Sequence, residues 1–386
     1  MKNNVAVLTT HRANNYGAIL QSYALTYKIN QLGYSCEILD YRCPYFERLY
    51  HSSKPVYTGK NPFIFLRNFI VRFCRRHFRD YATVKAFSLF RKSMLKISNE
   101  SYYSKENLST SENLYNVFIV GSDQIWNPDN TTSDISSFDR RFFLDFVKDS
   151  RKKNSYAASI GRSQISEDLA ALYRQYLFDF RILTLREHKG SSIIEKLTHR
   201  DVHTACDPVL LLDNNEWEKI ESPPIFAIEN DFILVYCVGG GLSLEDYAWT
   251  LAARYKCNVY FIQPPVVKSV CSNNKYILRG VGPAEFIWLI HHARAVVTSS
   301  FHCSAFSLLF MKELHVKYDE AKHINHRNSR IDSLFAFFEI TQDQINLIQN
   351  NEYHIACIHP CPQNLEIIKI TRQKSTNLLI DILQER

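Results

Sequence analysis

The stretch 298–307, TSSFHCSAFS, places one histidine among hydroxyl side chains where an anion could bind. It follows the apolar run 295–297 and opens a second apolar run, a pattern that predicts a strand giving way to a helix N-terminus. His302 lies at that junction, where free backbone N–H groups and the helix dipole favour an anion and Ser299 and Ser300 add donors. A histidine there can exchange a proton near neutral pH. The alternative is a serine N-cap beside a structural histidine.

Three arginines follow or precede other apolar runs in the same way. Arg12 comes after the first predicted strand, Arg186 comes after the run 182–185, and Arg330 precedes Leu334. A guanidinium group matches the planar oxygens of carboxylate and phosphate. Each arginine could equally be a surface ion-pair partner, which is the commoner role.

The elements that must position these residues alternate along the chain between extended apolar runs and helical patterns, which is typical of βαβ units in an α/β protein. The two prolines at 223–224 mark a boundary, after which the alternation restarts. We therefore expect a first α/β domain at 1–222, a second at 225–345 and a C-terminal segment with a helix at 346–386. Ligands of open parallel sheets bind beyond the carboxyl ends of the strands, so a cleft between two Rossmann-like domains is the expected site. The predicted strands are Val5–Thr9, Cys36–Tyr41, Val117–Val120, Ser155–Ile160, Ile182–Leu185, Phe232–Val238, Val259–Gln263 and Ala295–Ser299, and the predicted helices of the second half are Leu244–Tyr255, Pro283–Ala293 and Leu365–Leu383.

Segments of unusual composition interrupt the first domain. Residues 101–113 and 129–139 are polar and read as loops. A basic and aromatic helical insertion at about 62–100 interleaves phenylalanines with arginines. Such a segment can lie on an anionic membrane surface, or it can be a helical hairpin with its aromatics in the core and its basic face in water. The sequence leaves both interpretations of this segment open.

The overall composition is that of a cytoplasmic globular protein. The 386 residues carry a net charge of +7, which favours anionic partners, and no apolar run is long enough to span a bilayer. The N-terminus lacks a signal-type pattern, and the ten cysteines are scattered, so we expect reduced thiols. No nucleic-acid-binding motif accompanies the positive charge, so nucleic acid is not an expected partner. Peripheral contact with the inner face of the membrane depends on the basic insertion.

Six ordered motifs carry a resemblance to a known family. They are NYGAILQ at 15–21, GSDQIWNP at 121–128, SYAASIG at 155–161, LRE at 185–187, DPVLL at 207–211 and SSFH at 299–302. In this order they resemble the polysaccharide pyruvyltransferases. The resemblance implies a GT-B-like fold and transfer of pyruvate from phosphoenolpyruvate, as co-substrate, onto hydroxyls of a glycan, which forms a ketal during biosynthesis of a cell-surface polysaccharide such as an exopolysaccharide or capsule. No metal or other cofactor is expected, and the glycan could be free or lipid-linked.

The same resemblance assigns roles to individual residues. His302 matches the family's catalytic histidine, while Arg186 and Arg330, with Ser299 and Ser300, are expected to hold the donor. Asp123 could orient or deprotonate the acceptor hydroxyl, although an Asx turn or a helix cap explains it equally well. Cys303 departs from the family's usual glycine and could alter the approach to the helix N-terminus. The residues expected on the acceptor side of the cleft are Asn15, Tyr16, Gln124, Trp126 and Arg12, of which Arg12 rests on its position after the first strand and not on the resemblance.

Other functions are weaker candidates. A nucleotide-sugar glycosyltransferase of the GT-B type would use the same architecture, with the glycines at 239–241 approaching a diphosphate. A dinucleotide oxidoreductase lacks the glycine-rich fingerprint. A structural zinc site could use His354, Cys357, His359 and Cys361, but no second ligand pair lies at suitable spacing. A catalytically inactive binding protein would not need to keep His302 with Arg186 and Arg330.

Overall fold

The first half of the molecule is built on parallel β-sheets. The structure is a computed structural model that describes residues 4–51, 81–131, 138–229, 231–238, 244–262, 277–318, 328–350 and 353–384. Its first sheet has five parallel strands in the order β3-β2-β1-β4-β5. Isolated bridges join β5 and the residues after it to a two-stranded parallel sheet of β6 and β7. The strands are β1 Asn4–Leu8, β2 Ser35–Tyr41, β3 Ile97–Tyr102, β4 Val117–Val120, β5 Lys153–Ser155, β6 Leu183–Leu185 and β7 Val202–Thr204.

The second half repeats this plan. Its sheet has seven strands in the order β10-β9-β8-β11-β12-β14-β13. The first five are parallel, β14 pairs antiparallel with β12, and β13 pairs antiparallel with β14. The strands are β8 Phe232–Tyr236, β9 Asn258–Ile262, β10 Ile277–Leu278, β11 Ala295–Thr298, β12 Glu313–Tyr318, β13 Ile345–Asn350 and β14 Tyr353–Ile358. Within each half the order of the first strands, with the chain reversing beside the opening strand, is the Rossmann order.

Helices connect the parallel strands, as the alternation in the sequence predicts. The longer ones are α1 Tyr16–Gln31, α2 Tyr81–Met94, α3 Glu167–Leu177, α4 His188–Thr198, α5 Glu245–Tyr255, α6 Pro283–His292, α7 Phe301–Leu309, α8 Asn328–Phe337 and α9 Pro362–Leu383. Short helical turns lie at Pro44–Phe46, Lys105–Ser109, Pro128–Thr131 and Asn214–Glu218. None of the helices in the described part of the chain is long and apolar enough to cross a membrane.

Three expectations for the first half need correction. The strand expected at Ser155–Ile160 ends at Ser155, because the chain beyond it makes only an isolated bridge on each side of Ala158. The supposed loop at 101–113 contains the end of β3 and a short helix capped by Ser104. Of the polar stretch 129–139, the first residues are helical and residues 132–137 lie outside the described part.

The basic insertion is described only in its C-terminal part, since residues 52–80 lie outside the described ranges. That part is α2, which buries Phe87 and Phe90 in the core. Arg91 is buried too, and its guanidinium donates to the His11 carbonyl and to Asn14 Oδ1, each over 2.9 Å. This arginine therefore lies inside the protein and not on a basic face in water. Membrane docking of the insertion stays a prediction.

The two halves contact each other through an apolar seam around α1. Tyr16 stacks on Phe286 with ring centroids 4.2 Å apart, and its hydroxyl donates to the Val281 carbonyl over 2.8 Å. Thr83 of α2 accepts from the Gly280 amide over 3.0 Å. One continuous hydrophobic cluster spans β1, α1, β8 and α6. Both halves are Rossmann-like and face a common cleft, which confirms the expected GT-B-like α/β fold.

The last helix returns to the first half of the molecule. Ser375 of α9 accepts from the Cys206 amide over 3.0 Å, and Arg372 donates to the Leu210 carbonyl over 2.7 Å. Arg181 donates to carbonyls at the end of α9. The exact domain limits at 222 and 345 stay predictions.

Candidate active site

A cleft of about 670 Å³ opens between the two sheets, at the carboxyl ends of their parallel strands. The loops that follow β1 and β4 line it from the first half, and those that follow β8 and β11 line it from the second. These are the strands beside which the order of each sheet reverses, the usual place for a ligand in open α/β sheets. The volume is in the range of small-molecule sites.

His302 lies in the first turn of α7, at the wall of this cleft. Ser300 caps the helix by accepting from the Cys303 amide over 3.4 Å, so the serine cap expected as an alternative is present beside the histidine. The imidazole packs against Gly17 in the first turn of α1, so closely that a Cβ on Gly17 would come under 3.0 Å from three ring atoms. Two helix N-termini from different halves of the molecule therefore meet at one imidazole, and both favour negative charge.

Asp207 lies on the other side of the imidazole. Its Oδ2 is 3.4 Å from His302 Nε2, and it accepts from Ser122 over 3.0 Å and from Arg186 Nη1 over 2.7 Å. Burial alone would raise the pKa of the Asp207 carboxyl, but His302 and Arg186 outweigh it, so this pKa lies well below its usual range. A buried carboxylate beside an imidazole orients the ring and stabilises its protonated form.

Arg186 lies beneath the cleft and does not line it. Its side chain is fully buried, Nε donates to Glu187 over 3.0 Å, and its guanidinium carbon lies 4.1 Å from the centre of the Phe301 ring. Burial would lower the pKa of Arg186, but the carboxylates of Glu187 and Asp207 raise it. Its Nη2 is buried and has no hydrogen-bond partner among the described residues. The arginine thus holds Asp207 in place and keeps one donor unused.

Asp123 follows β4 and lines the cleft. Its backbone is left-handed, with φ 69°, a conformation that is uncommon for residues other than glycine. Its carbonyl accepts from the Ile125 and Ser159 amides over 2.7 and 3.0 Å, which fixes the turn. No hydrogen bond of the Asp123 carboxylate to another described residue is present, so the expected Asx turn or cap is not formed. A left-handed aspartate at a cleft wall is compatible with a functional role.

The other residues predicted for the site divide into two groups. Asn15, Gln124, Ser299, Ser300 and Arg330 line the cleft. Asn15 caps α1, and Ser299 exchanges hydrogen bonds with the backbone of Val238.

Tyr16, Trp126 and Arg12 are not among the cleft-lining residues. Tyr16 is buried in the seam between the halves, and Trp126 is a core residue whose Nε1 donates to the Phe142 carbonyl over 2.9 Å. Arg12 is ion-paired with Asp40 and Glu47. The buried tyrosine and tryptophan pack behind the cleft wall, and the role of these three residues toward an acceptor stays a prediction.

Cys303 and the glycines at 239–241 each bear on an expectation from the sequence. Cys303 is buried in α7 and does not line the cleft, and burial raises the pKa of its thiol to about 12. Its departure from glycine therefore leaves the cleft wall unchanged. The alternative of a nucleotide-sugar glycosyltransferase depended on the glycines 239–241, which lie outside the described residues.

Sequence reasoning missed three contributors to this site. Asp207 and Gly17 stand in two of the quoted motifs but were not singled out, since neither sequence position reveals the contact with His302. Arg162 lines the cleft directly after the SYAASIG motif and pairs with Asp129 over 2.7 Å. A search for charged residues inside or next to each motif would have found Asp207 and Arg162.

Comparisons with known proteins give distant structural matches and one family. The chain is similar to UDP-GlcNAc 2-epimerases from Neisseria meningitidis (9% identity, TM-score 0.47, 100% of both chains) and Methanocaldococcus jannaschii (11%, 0.44, 97% of this chain and 99% of that one). It is also similar to a glycosyltransferase from Streptomyces nogalater (11%, 0.42, 100% of both). A search of curated proteins found no match. The model of the family described as polysaccharide pyruvyl transferase matches residues 15–314, which include every residue of the His302–Asp207–Arg186 arrangement, and the chain belongs to that family.

Proposed function

We propose that this protein transfers pyruvate from phosphoenolpyruvate to two hydroxyls of a glycan and so forms a cyclic ketal. Family membership supports a polysaccharide-modifying transferase. The observation that carries the proposal is the position of His302, an imidazole at the cleft wall between Asp207 and Gly17, at the meeting point of two helix N-termini. This arrangement supplies a proton donor and acceptor beside a site that favours anions.

The donor would bind with its anionic groups toward those helix N-termini. Phosphoenolpyruvate carries a phosphate and a carboxylate, and the first turns of α1 and α7 each offer backbone N–H groups to such oxygens. Arg330 lines the same cleft, and we propose that it contacts one of the anions. Contact between the donor and Arg186 stays a prediction, which the unpartnered Nη2 supports. The geometry gives Arg186 a second role, since it fixes Asp207 and through it His302.

The chemistry follows from these groups in two steps. Protonated His302 delivers its proton to C3 of phosphoenolpyruvate, which leaves an oxocarbenium-like centre at C2 that the first sugar hydroxyl attacks as it loses its proton to a base. The second hydroxyl then displaces phosphate from C2, which closes the ketal. The two hydroxyl protons balance the one gained by C3 and the one that leaves with hydrogen phosphate. The scheme needs no cofactor besides the co-substrate.

Asp123 is the base proposed for the acceptor hydroxyl. Asp123 lines the cleft together with Gln124 and Asn15, whose amide groups are suited to sugar hydroxyls. We propose that the acceptor is a sugar unit of a cell-surface polysaccharide, delivered free or on a lipid carrier. Docking of the basic insertion at the inner face of the membrane would favour the lipid-linked form.

The test is an incubation of purified protein with phosphoenolpyruvate and a panel of free and lipid-linked sugars that carry two suitably spaced hydroxyls. Phosphate release coupled to a pyruvyl ketal on the sugar, detected by mass, is expected. His302→Gln should lose both signals, while Cys303→Ser, one residue along the same helix but outside the cleft, should keep them. Inertness toward phosphoenolpyruvate with every acceptor, in a protein that binds a nucleotide sugar instead, would contradict the proposal.

A further inference from the structure

Four side chains with metal-ligand chemistry converge on one face of β12 and β14, away from the cleft. Glu313 and His315 lie two residues apart on β12, so they share a face of the sheet, and His315 is directly opposite Cys357 of the antiparallel strand β14. His359 follows two residues after Cys357, on the same side. Carboxylate, imidazole and thiolate groups thus come together from two neighbouring chain segments.

The distances between their donor atoms are those of a compact cluster. His315 Nε2 lies 2.8 Å from Glu313 Oε1 and 4.0 Å from Cys357 Sγ. His359 Nε2 lies 3.6 Å from the same sulfur, and its Nδ1 lies 3.9 Å from Glu313 Oε2. Ligand atoms about 2.1 Å from a tetrahedral ion are about 3.4 Å from one another. One ligand atom each of Glu313, Cys357 and His359 lie within 4.8 Å of one another, and His315 adjoins this group through Glu313 and Cys357.

Two tyrosines of α5 hold the inner ligands. The Tyr247 hydroxyl lies 2.8 Å from His315 Nδ1, which leaves Nε2 directed at the cluster, and Tyr255 donates to Glu313 Oε1 over 2.6 Å. Partners of this kind fix the ring orientation and tautomer of metal-bound histidines. His315 and Cys357 are buried, whereas His359 is 66% exposed and can rotate onto an incoming ion. The site is therefore pre-formed on three sides and open on the fourth.

We propose that Glu313, His315, Cys357 and His359 bind one Zn²⁺ ion per chain. One thiolate, one carboxylate and two neutral imidazoles neutralise the dication, and this mixed donor set suits zinc. The set differs from the four residues that sequence spacing suggested. His354 pairs with Tyr318 and Gln349 along β14, and Cys361 caps α9, where its sulfur contacts Gln344 and Asn364.

The place of the ion in the fold makes it structural. Glu313 is at the start of β12 and pairs with Ala295 at the start of β11, whereas the cleft lies beyond the opposite end of β11. The ion would tie β12 to β14 and to the turn that leads into α9, the helix that packs on the first half. Its role is independent of the proposed transferase reaction.

The experiment is a titration of chelator-treated full-length protein with Co²⁺, followed by competition with Zn²⁺. The wild type should take up one ion that gives a sulfur-to-cobalt charge-transfer absorption in the near ultraviolet, and Zn²⁺ should displace it and raise the unfolding temperature. Tyr247→Phe should weaken binding by about tenfold or more, since it removes only the partner of a ligand. Absence of the charge-transfer band in the wild type would overturn the proposal without need of any variant.

Matched variants locate the ion. Cys357→Ser should lose the band and His359→Gln should weaken Co²⁺ binding, whereas Cys361→Ser and His354→Gln, two nearby changes outside the cluster, should leave the band and the affinity unchanged. Another group of potential ligands, Glu221 with His291 and His292, contains no sulfur, so Glu221→Gln should also leave the band unchanged. A band that persists in Cys357→Ser, or that disappears in Cys361→Ser, would assign the metal to other residues and refute the site.

Discussion

Replacement of Gly17 by alanine should greatly lower kcat while leaving helix α1 folded. An added Cβ would come under 3.0 Å from three atoms of the His302 ring, so the imidazole must move. Gly17 has no left-handed backbone that would require glycine. Alanine is better than glycine inside a helix by about 1 kcal/mol, which partly offsets a repacking cost of about 1 to 3 kcal/mol. Stability should therefore change little.

The loss of activity should be much larger than the change in stability. A positioned acid or base contributes about 10²- to 10⁴-fold to the rate, so kcat of Gly17→Ala should fall by that factor, equivalent to about 3 to 5 kcal/mol of barrier. Steady-state phosphate release from phosphoenolpyruvate with an acceptor measures it, beside a thermal unfolding scan. Gly190→Ala is the matched control, a helical glycine whose added Cβ would meet Leu185 Cδ2 at 3.3 Å and two Glu187 atoms at the ordinary contact distances of 3.6 and 3.7 Å. Wild-type kcat in Gly17→Ala would refute the assigned position of His302.

Three further variants test the remaining roles. His302→Gln should lower kcat by about 10²- to 10⁴-fold in a folded protein, measured by the same assay beside circular dichroism. Asp207→Asn should destabilise the fold by about 3 to 5 kcal/mol in denaturant titrations, because it removes one of the two carboxylates that neutralise the buried Arg186. Folding lowers the pKa of Asp207 in the wild type. The stabilisation that this carboxylate contributes is therefore complete above the unfolded pKa of about 3.9 and is lost as the pH falls toward the folded value. A pH series of unfolding free energies should show this loss in the wild type but not in Asp207→Asn. Asp123→Gly should keep or raise the unfolding temperature, since glycine suits φ 69°, yet lower kcat, and full activity in this variant would exclude the carboxylate as base.

Local patterns were enough to predict most of the fold. Apolar runs such as those of β1, β8 and β11 have the length and flanking turns of buried parallel strands, and their alternation with helices implies βαβ units. The errors arose where long-range pairing decides the structure. The chain after Ser155 is apolar enough for a strand but makes only single bridges, and polar residues at 101–113 fold because β3 pairs with β2.

The site could be predicted in its positions but not in its contacts. His302, Asp123 and Arg330 follow from strand ends and motifs, and all three line the cleft. The depth of Arg186 could not be foreseen, since its sequence neighbourhood resembles that of a ligand-binding strand end while Asp207, 21 residues later, pairs with it beneath the surface. In the same way, the grouping of Glu313 with Cys357 depends on the register of β12 against β14, which no spacing along the chain reveals.

Transfer carried out in D₂O reports directly on proton delivery by His302. The product glycan, isolated after reaction with unlabelled phosphoenolpyruvate, should carry a pyruvyl ketal whose methyl group holds one deuterium, because C3 gains its proton from His302 in exchange with solvent. His302→Gln should yield no such product above background. A wild-type protein that forms no ketal with any acceptor, or a His302→Gln variant that forms the deuterated ketal at the wild-type rate, would contradict the account.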